Sequence, residues 1–339
     1  MLPSTSDSAA PAQKIENLVE RLRAGDSRAL ARAISLVEND SSGVAEVLSA
    51  CFPYTGNSLR IGLTGAPGSG KSTLVDQLAK HYRAQQHPVG IVAVDPTSPF
   101  TGGAILGDRI RMQSHHADPG LYIRSMATRG FLGGLASTTA DVASVVEASG
   151  KTRLLIETVG VGQDEVDIVR LADVTVVVLV PGLGDDVQSI KAGILEIADI
   201  FVVNKSDREG ADRVEREIRT MQSLGGHGEG WVPPVVRTIA STGEGTGTLV
   251  ETIDRCAEWL RQHGELEKRR ADAWRERLLE MIRRRLTHEL VHHRMGSSEL
   301  QTYARAVAEG GQDPYVLVER LVRGLLDLHS DGPSIPSCN

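Results

Sequence analysis

The chain has 339 residues, 40% of them hydrophobic and 24% charged, which is ordinary globular composition with room for one large domain plus helical attachments, or for two domains. A net charge of −7 with only 4% aromatic residues argues against nucleic acid as a partner, which asks for a basic face and stacking platforms. No apolar stretch exceeds strand length, the longest lying around Val174 to Val180, and Cys51, Cys256 and Cys338 form no C-x-x-C pair; a soluble, reduced, cytoplasmic protein without a membrane partner is expected.

Residues 1–13 are rich in Ser, Ala and Pro, contain no apolar core of a signal peptide, and read as a disordered tail. Residues 14–50 read as an N-terminal helical segment: Ile15, Leu18, Val19 and Leu22 form one stripe, and Leu30, Ala33, Ile34 and Val37 a second. Asp26 and Ser27 suit the turn and cap between them. Residues 51–262 carry strand-like runs at 60–64, 89–95, 121–125, 154–157, 174–180, 200–204 and 235–239, with helical stretches between. Several are almost continuously apolar, as strands of a mostly parallel sheet covered on both faces must be. An α/β fold is therefore expected. Residues 263–330 read as a C-terminal helical arm, in which Trp274, Leu278, Ile282, Leu286 and Leu290 recur every fourth position on an arginine-rich helix. That stripe either packs on the preceding domain or serves as a dimerisation arm. Residues 331–339 read as a frayed tail.

Residues 65–73 spell G-A-P-G-S-G-K-S-T directly after the first strand. Gly65, Gly68 and Gly70 let consecutive amides converge on phosphate, Ala66, Pro67 and Ser69 complete the loop, and Thr73 lies in the first turn of the helix whose positive end follows. Lys71 would reach the β- and γ-phosphates, and the Ser72 hydroxyl would ligate Mg²⁺. This is the phosphate loop of a P-loop NTPase.

Asn204-Lys205-Ser206-Asp207 follows the sixth strand. A carboxylate at Asp207 can accept from guanine N1–H and the exocyclic amine, which adenine does not present together. Lys205 would lie along the base and Asn204 would brace the phosphate loop. Ile239, Ala240 and Ser241, after the last strand, are placed for a backbone N–H to guanine O6, although the segment is also simple turn chemistry. Phosphate loop and base motif together make residues 51–262 a G domain that binds GTP and GDP.

Three carboxylates fall near the strand ends: Asp95 in V-D-P-T-S-P, Asp108 in G-D-R-I-R-M, and Glu157 in E-T-V-G, where many GTPases carry D-x-x-G. Each can hold Mg²⁺ directly or through water, or serve as a cap or solvated loop charge. Gly160 would offer its N–H to the γ-phosphate. Lys71, Asp108 and Glu157 are the expected catalytic set. Arg109, Arg111 and Arg129 could stabilise transition-state charge or be ordinary surface arginines. No glutamine is convincingly placed to orient the attacking water, Gln163 being the nearest guess. The H-E-x-x-H at residues 288–292 has the wrong context for zinc, since Leu290 belongs to the apolar stripe.

With those residues in hand, the chain resembles the methylmalonyl-CoA mutase-associated GTPases, the G-protein chaperones of adenosylcobalamin-dependent acyl-CoA mutases. The resemblance runs from about Ile15 to Leu328 and rests on the phosphate loop, V-D-P-T-S-P, G-D-R-I-R-M, M-A-T-R-G-F-L-G-G-L-A, I-E-T-V-G-V-G-Q, the run from Pro181 to Asp199, and N-K-S-D. It implies a slow GTPase, a homodimer through the C-terminal arm, and a mutase partner whose cofactor loading the protein gates. It also implies that residues 182–191, with Asp185, Asp186 and Lys191, form a switch sensing nucleotide and mutase together; Asp164 departs from the family pattern, which has Ser there. Two other readings remain at this point: a P-loop kinase linked to amino-acid transport, and a nickel-insertion GTPase.

Overall fold

The computed structural model describes residues 9–95, 118–127, 135–158, 168–182, 196–224, 230–294 and 297–326. It divides into two compact units, Met1–Ala273 and Trp274–Asn339.

The first unit is built on a seven-stranded sheet: β1 (Leu59–Thr64), β2 (Val89–Asp95), β3 (Leu121–Ala127), β4 (Arg153–Glu157), β5 (Val174–Leu179), β6 (Ile200–Asn204) and β7 (Val235–Thr238). The spatial order is β3-β2-β4-β1-β5-β6-β7, and every pairing is parallel. The chain thus builds to one side of β1 through β2, β3 and β4, then crosses to the other side. The reversal puts a crevice at the carboxyl end of β1, where ligands of such sheets collect.

Alternation along the strands explains the two buried faces. Ile61 and Leu63 of β1 pack with Leu74, Leu78 and Tyr82 of α4 (Lys71–Ala84) and with Ile253 and Leu260 of a helix at Thr246–Gln262. On the opposite face, Leu154 and Ile156 of β4 meet Val142 and Val146 of α5 (Leu135–Ala148), while Phe201 and Val203 of β6 meet Val214 and Ile218 of α6 (Ala211–Leu224). The helix at Thr246–Gln262 is α7. The N-terminal helices α1 (Ala9–Arg23), α2 (Ser27–Glu38) and α3 (Val44–Cys51) share the α5 core through Leu22, Leu30, Ile34 and Val47. Asp26 caps α2, accepting from the Arg28 and Ala29 amides at 2.9 and 3.1 Å. α1 starts at Ala9 and so takes in the end of the stretch whose composition suggests a tail.

α8 (Glu265–His288) begins in this unit, with Leu266 buried in the α4–α7 core. Arg269 and Arg270 then grip the amino ends of two strands. Arg269 makes a two-pronged pair with Asp199 at 2.9 and 2.8 Å, and Arg270 with Asp173 at 2.7 and 2.8 Å.

The second unit holds the rest of α8, a π-turn at Glu289–Arg294, α9 (Ser297–Ala308) and α10 (Pro314–Leu326). Leu278, Ile282 and Leu286 stand 51–54% exposed, so the apolar stripe of α8 is accessible to solvent. Among the described residues no helix is long and apolar enough to cross a membrane.

Candidate nucleotide site

The loop at residues 65–70 leaves β1 and enters α4 through backbone that few residues tolerate. Gly65 has φ +141°, and a Cβ there would strike the Val178 carbonyl oxygen on β5. Gly70 has φ +92°, and a Cβ there would displace the Asn204 amide. These two positions fix how closely β5 and β6 approach the loop.

Gly70 is also the N-cap of α4, and no side chain caps the helix. The first amides of any helix lack an intrahelical acceptor. At α4 those are the amides of Lys71, Ser72 and Thr73, gathered where the dipole favours an anion. The donor set therefore fits a phosphate. Lys71 is 5% exposed, and its Nζ donates to Gly65 O at 2.7 Å and Ala66 O at 3.1 Å, so its ammonium lies over the loop formed by Gly65, Ala66, Pro67, Gly68 and Ser69.

Ser72 Oγ donates to Glu157 Oε1 at 2.6 Å. Glu157 ends β4, is 5% exposed, and reaches Ser72 because β4 lies beside β1 with Glu157 opposite Leu63. Accepting the hydroxyl proton leaves the Ser72 lone pairs for a cation. A hydroxyl beside a buried carboxylate is a hard-oxygen pair of the kind Mg²⁺ selects. Asp95 closes β2 at the same end of the sheet. Asp108 and Gly160 lie outside the described residues, as do Arg109, Arg111, Arg129, Gln163, Asp164, Asp185, Asp186 and Lys191.

The N-K-S-D segment is tied to the phosphate loop. Asn204, 1% exposed, donates from Nδ2 to Ser69 O at 2.7 Å. Its Oδ1 accepts from Thr238 Oγ1 and from the Ala240 amide, each at 3.1 Å. One side chain thus joins the ends of β6 and β7 to the loop after β1. Lys205 holds φ +55°, an uncommon conformation for a residue with a Cβ, and its Nζ donates to Gly68 O at 2.8 Å. The Ser206 amide bonds Thr238 O at 3.1 Å, closing a turn that leaves Asp207 exposed. Ile239, Ala240 and Ser241 form the facing turn, in which the Ile239 amide is engaged by Glu244 O.

Sequence reasoning missed Thr64, Thr158 and Thr238. A signal existed for Thr238, a hydroxyl at the end of an apolar strand just before Ile239; which atom it serves depends on β6 lying alongside.

Among proteins of known sequence, the family whose sequence model matches residues 30–295 is described as Methylmalonyl Co-A mutase-associated GTPase MeaB. A Pyrococcus abyssi protein provisionally named a GTPase is 47% identical over 315 residues, covering 92% of this chain and 97% of the relative. The mouse protein named Methylmalonic aciduria type A homolog, mitochondrial, is 32% identical over 333 residues, 93% of this chain and 80% of that one. A crystal structure described as a LAO/AO transport system kinase superposes with a TM-score of 0.66 at 24% identity, covering 96% of this chain and all of the other, which is a likeness of fold.

Proposed function

The chain belongs to the methylmalonyl-CoA mutase-associated GTPases, a family of GTP hydrolases, and from that premise we propose that it is the chaperone of an adenosylcobalamin-dependent acyl-CoA mutase, gating cofactor loading and protecting or reactivating that enzyme. The observation that carries the GTP half of this reading is the Asn204 amide on Ser69 O, which ties the N-K-S-D segment to the phosphate loop. The mutase half rests on the family.

In the reaction, the α4 amides and Lys71 hold the β- and γ-phosphates, Lys71 exchanging its loop carbonyls for phosphate oxygens. Ser72 with Glu157, Asp95 and Asp108 would hold Mg²⁺, which when bound would neutralise charge developing on the phosphates. Glu157 fixes the Ser72 hydroxyl by taking its proton in a hydrogen bond. Asp207 orients the base, and water attacks the γ-phosphorus in line. Catalysis on this plan is positioning and charge stabilisation, so turnover by the isolated protein is slow and a partner that orders the switch segments speeds it.

The nickel alternative loses ground on the thiols. Burial pushes Cys51 up to about 11 and Cys256 to about 12, so neither is poised as a thiolate ligand. A kinase would need a second substrate site beside the nucleotide.

The test is calorimetry with GTP, GDP and ATP in Mg²⁺, followed by phosphate release with and without the co-purifying mutase. GTP selectivity and mutase-stimulated release are expected. Preference for ATP, or no hydrolysis even with the mutase, ends the reading.

We also infer a homodimer through α8, whose exposed stripe of Leu278, Ile282 and Leu286 needs a cover. Ile282→Glu would put a charge in that contact and weaken association by roughly a hundredfold, read by light scattering across a dilution series. A dimer of unchanged affinity would place the interface elsewhere.

A further inference from the structure

We propose that Thr64 and Thr158 are positioning residues for hydrolysis: their paired hydroxyls pin the last peptide of β4 from one face of the sheet so that Glu157 keeps its carboxylate on Ser72 at the other. This deepens the reading of Ser72 and Glu157 as the cation-holding pair and rests on it.

Side chains alternate across a sheet, so neighbours along β4 point to opposite faces. Leu155 belongs to the α4–α7 core and Ile156 to the α5 core. By the same alternation Glu157 returns to the α4 face, where Ser72 lies, and Thr158 points away from it. On β1, Leu63 belongs to the α4–α7 core, so Thr64 points to the far face beside Thr158.

The two threonines meet there. Thr158 Oγ1 donates to Thr64 Oγ1 at 3.1 Å, with Thr64 fully buried and Thr158 only 4% exposed. The Thr158 amide bonds Leu63 O at 3.1 Å, carrying the β1–β4 ladder one rung past the end of β4. Thr158 is therefore held by its backbone and its side chain, and both partners are in the segment that becomes the phosphate loop at Gly65.

The consequence for Glu157 is mechanical. The two bonds of Thr158 fix the backbone at the end of β4, and with it the Cα of Glu157 and the direction in which its side chain leaves the strand. Drawing Glu157 back from Ser72 by a shift of that backbone would break a hydrogen bond between two hydroxyls that water does not reach, and each would be left unsatisfied. The far-face pair thus resists loss of the near-face contact. A structural role alone would fix the fold without favouring one orientation of Glu157.

The double variant T64V/T158V removes both hydroxyls while keeping shape, so neither is left unsatisfied and the protein should fold with a near-normal melting temperature. Its GDP affinity without divalent ion should match wild type within about twofold, since the loop amides are untouched. Its Mn²⁺ affinity in the GDP complex, read by electron paramagnetic resonance titration, should fall about tenfold, the worth of one positioned hydrogen bond. For GTP hydrolysis kcat should fall by a similar factor with KM little changed, and T64S/T158S, which returns both hydroxyls, should restore both metal affinity and kcat. A folded double variant with wild-type Mn²⁺ affinity overturns the proposal, as does equal loss of nucleotide and metal binding. If wild type itself binds no Mn²⁺ with GDP, the fault lies with the assigned cation pair, and this proposal goes with it. If wild type binds the metal yet does not hydrolyse GTP, the function falls while the metal titration still judges the threonine pair.

Discussion

Replacing Asp207 with asparagine is expected to turn a guanine-selective site into one that prefers xanthine. Guanine offers two donors on its pairing edge, N1–H and the exocyclic amine, and a carboxylate accepts both. Asparagine keeps one acceptor and adds one donor, which matches the N1–H and the 2-oxo group of xanthine. Two charge-assisted hydrogen bonds at about 1.5–3 kcal/mol each put the loss of GTP affinity at a hundredfold or more. The turn itself should survive, because it is built from the backbone bonds of Ser206 to Thr238 O and of Arg208 to Lys205 O rather than from the Asp207 side chain. Lys205 keeps its bond to Gly68 O, so the phosphate loop is not disturbed by the change. Titrations of wild type and D207N with GTP, XTP and ATP read the result. Unchanged GTP binding by D207N, or a gain for ATP in place of XTP, would take the base-reading role away from Asp207.

The same comparison shows what a sequence can and cannot reveal about such a site. Every strand was picked out, several as near-continuous apolar runs, since strands covered on both faces have no polar alternation to obscure them. The runs at 89–95 and 200–204 coincide with β2 and β6, and the others differ by a residue or two at an end. The phosphate loop and N-K-S-D were legible because each is contiguous. The threonine pair was not, because Thr64 and Thr158 lie 94 positions apart and meet only through the β1–β4 register. Thr238 was hidden for the same reason, as its hydroxyl serves Asn204 on the neighbouring strand. Arg269 and Arg270 were not singled out on a helix read only as arginine-rich, yet both carboxylates they hold are nearly buried. Composition describes the helix as a whole, and only packing distinguishes the turns that anchor from the turns that face water.

That anchor sets the second large effect. Arg270→Met should lower the stability of the first unit by about 3 kcal/mol, the lower end of the cost of stripping one partner from a buried ion pair. The lower end is appropriate because the Arg270 side chain is 34% exposed while that of Asp173 is 4% exposed. Arg270 does more than pair with Asp173, whose hydrogen bonds hold its pKa above the ordinary guanidinium value. It also donates to Gly56 O at 2.7 Å and Ser58 O at 2.8 Å, just ahead of β1. Without it, Asp173 keeps the Arg60 amide at 2.9 Å, too little to solvate a carboxylate away from water. A loss of that size corresponds to a melting temperature lower by about 6–12 °C. Adding Asp173→Asn to Arg270→Met should recover part of the loss, since the stranded charge goes with the second change. The recovery separates an ionic anchor from simple packing by the arginine stem, which Met largely preserves. Calorimetric melts of wild type, R270M and the double variant would decide. If R270M melts within a degree or so of wild type, Asp173 is solvated well enough without its partner, and α8 is held by Leu266 and Arg269 instead.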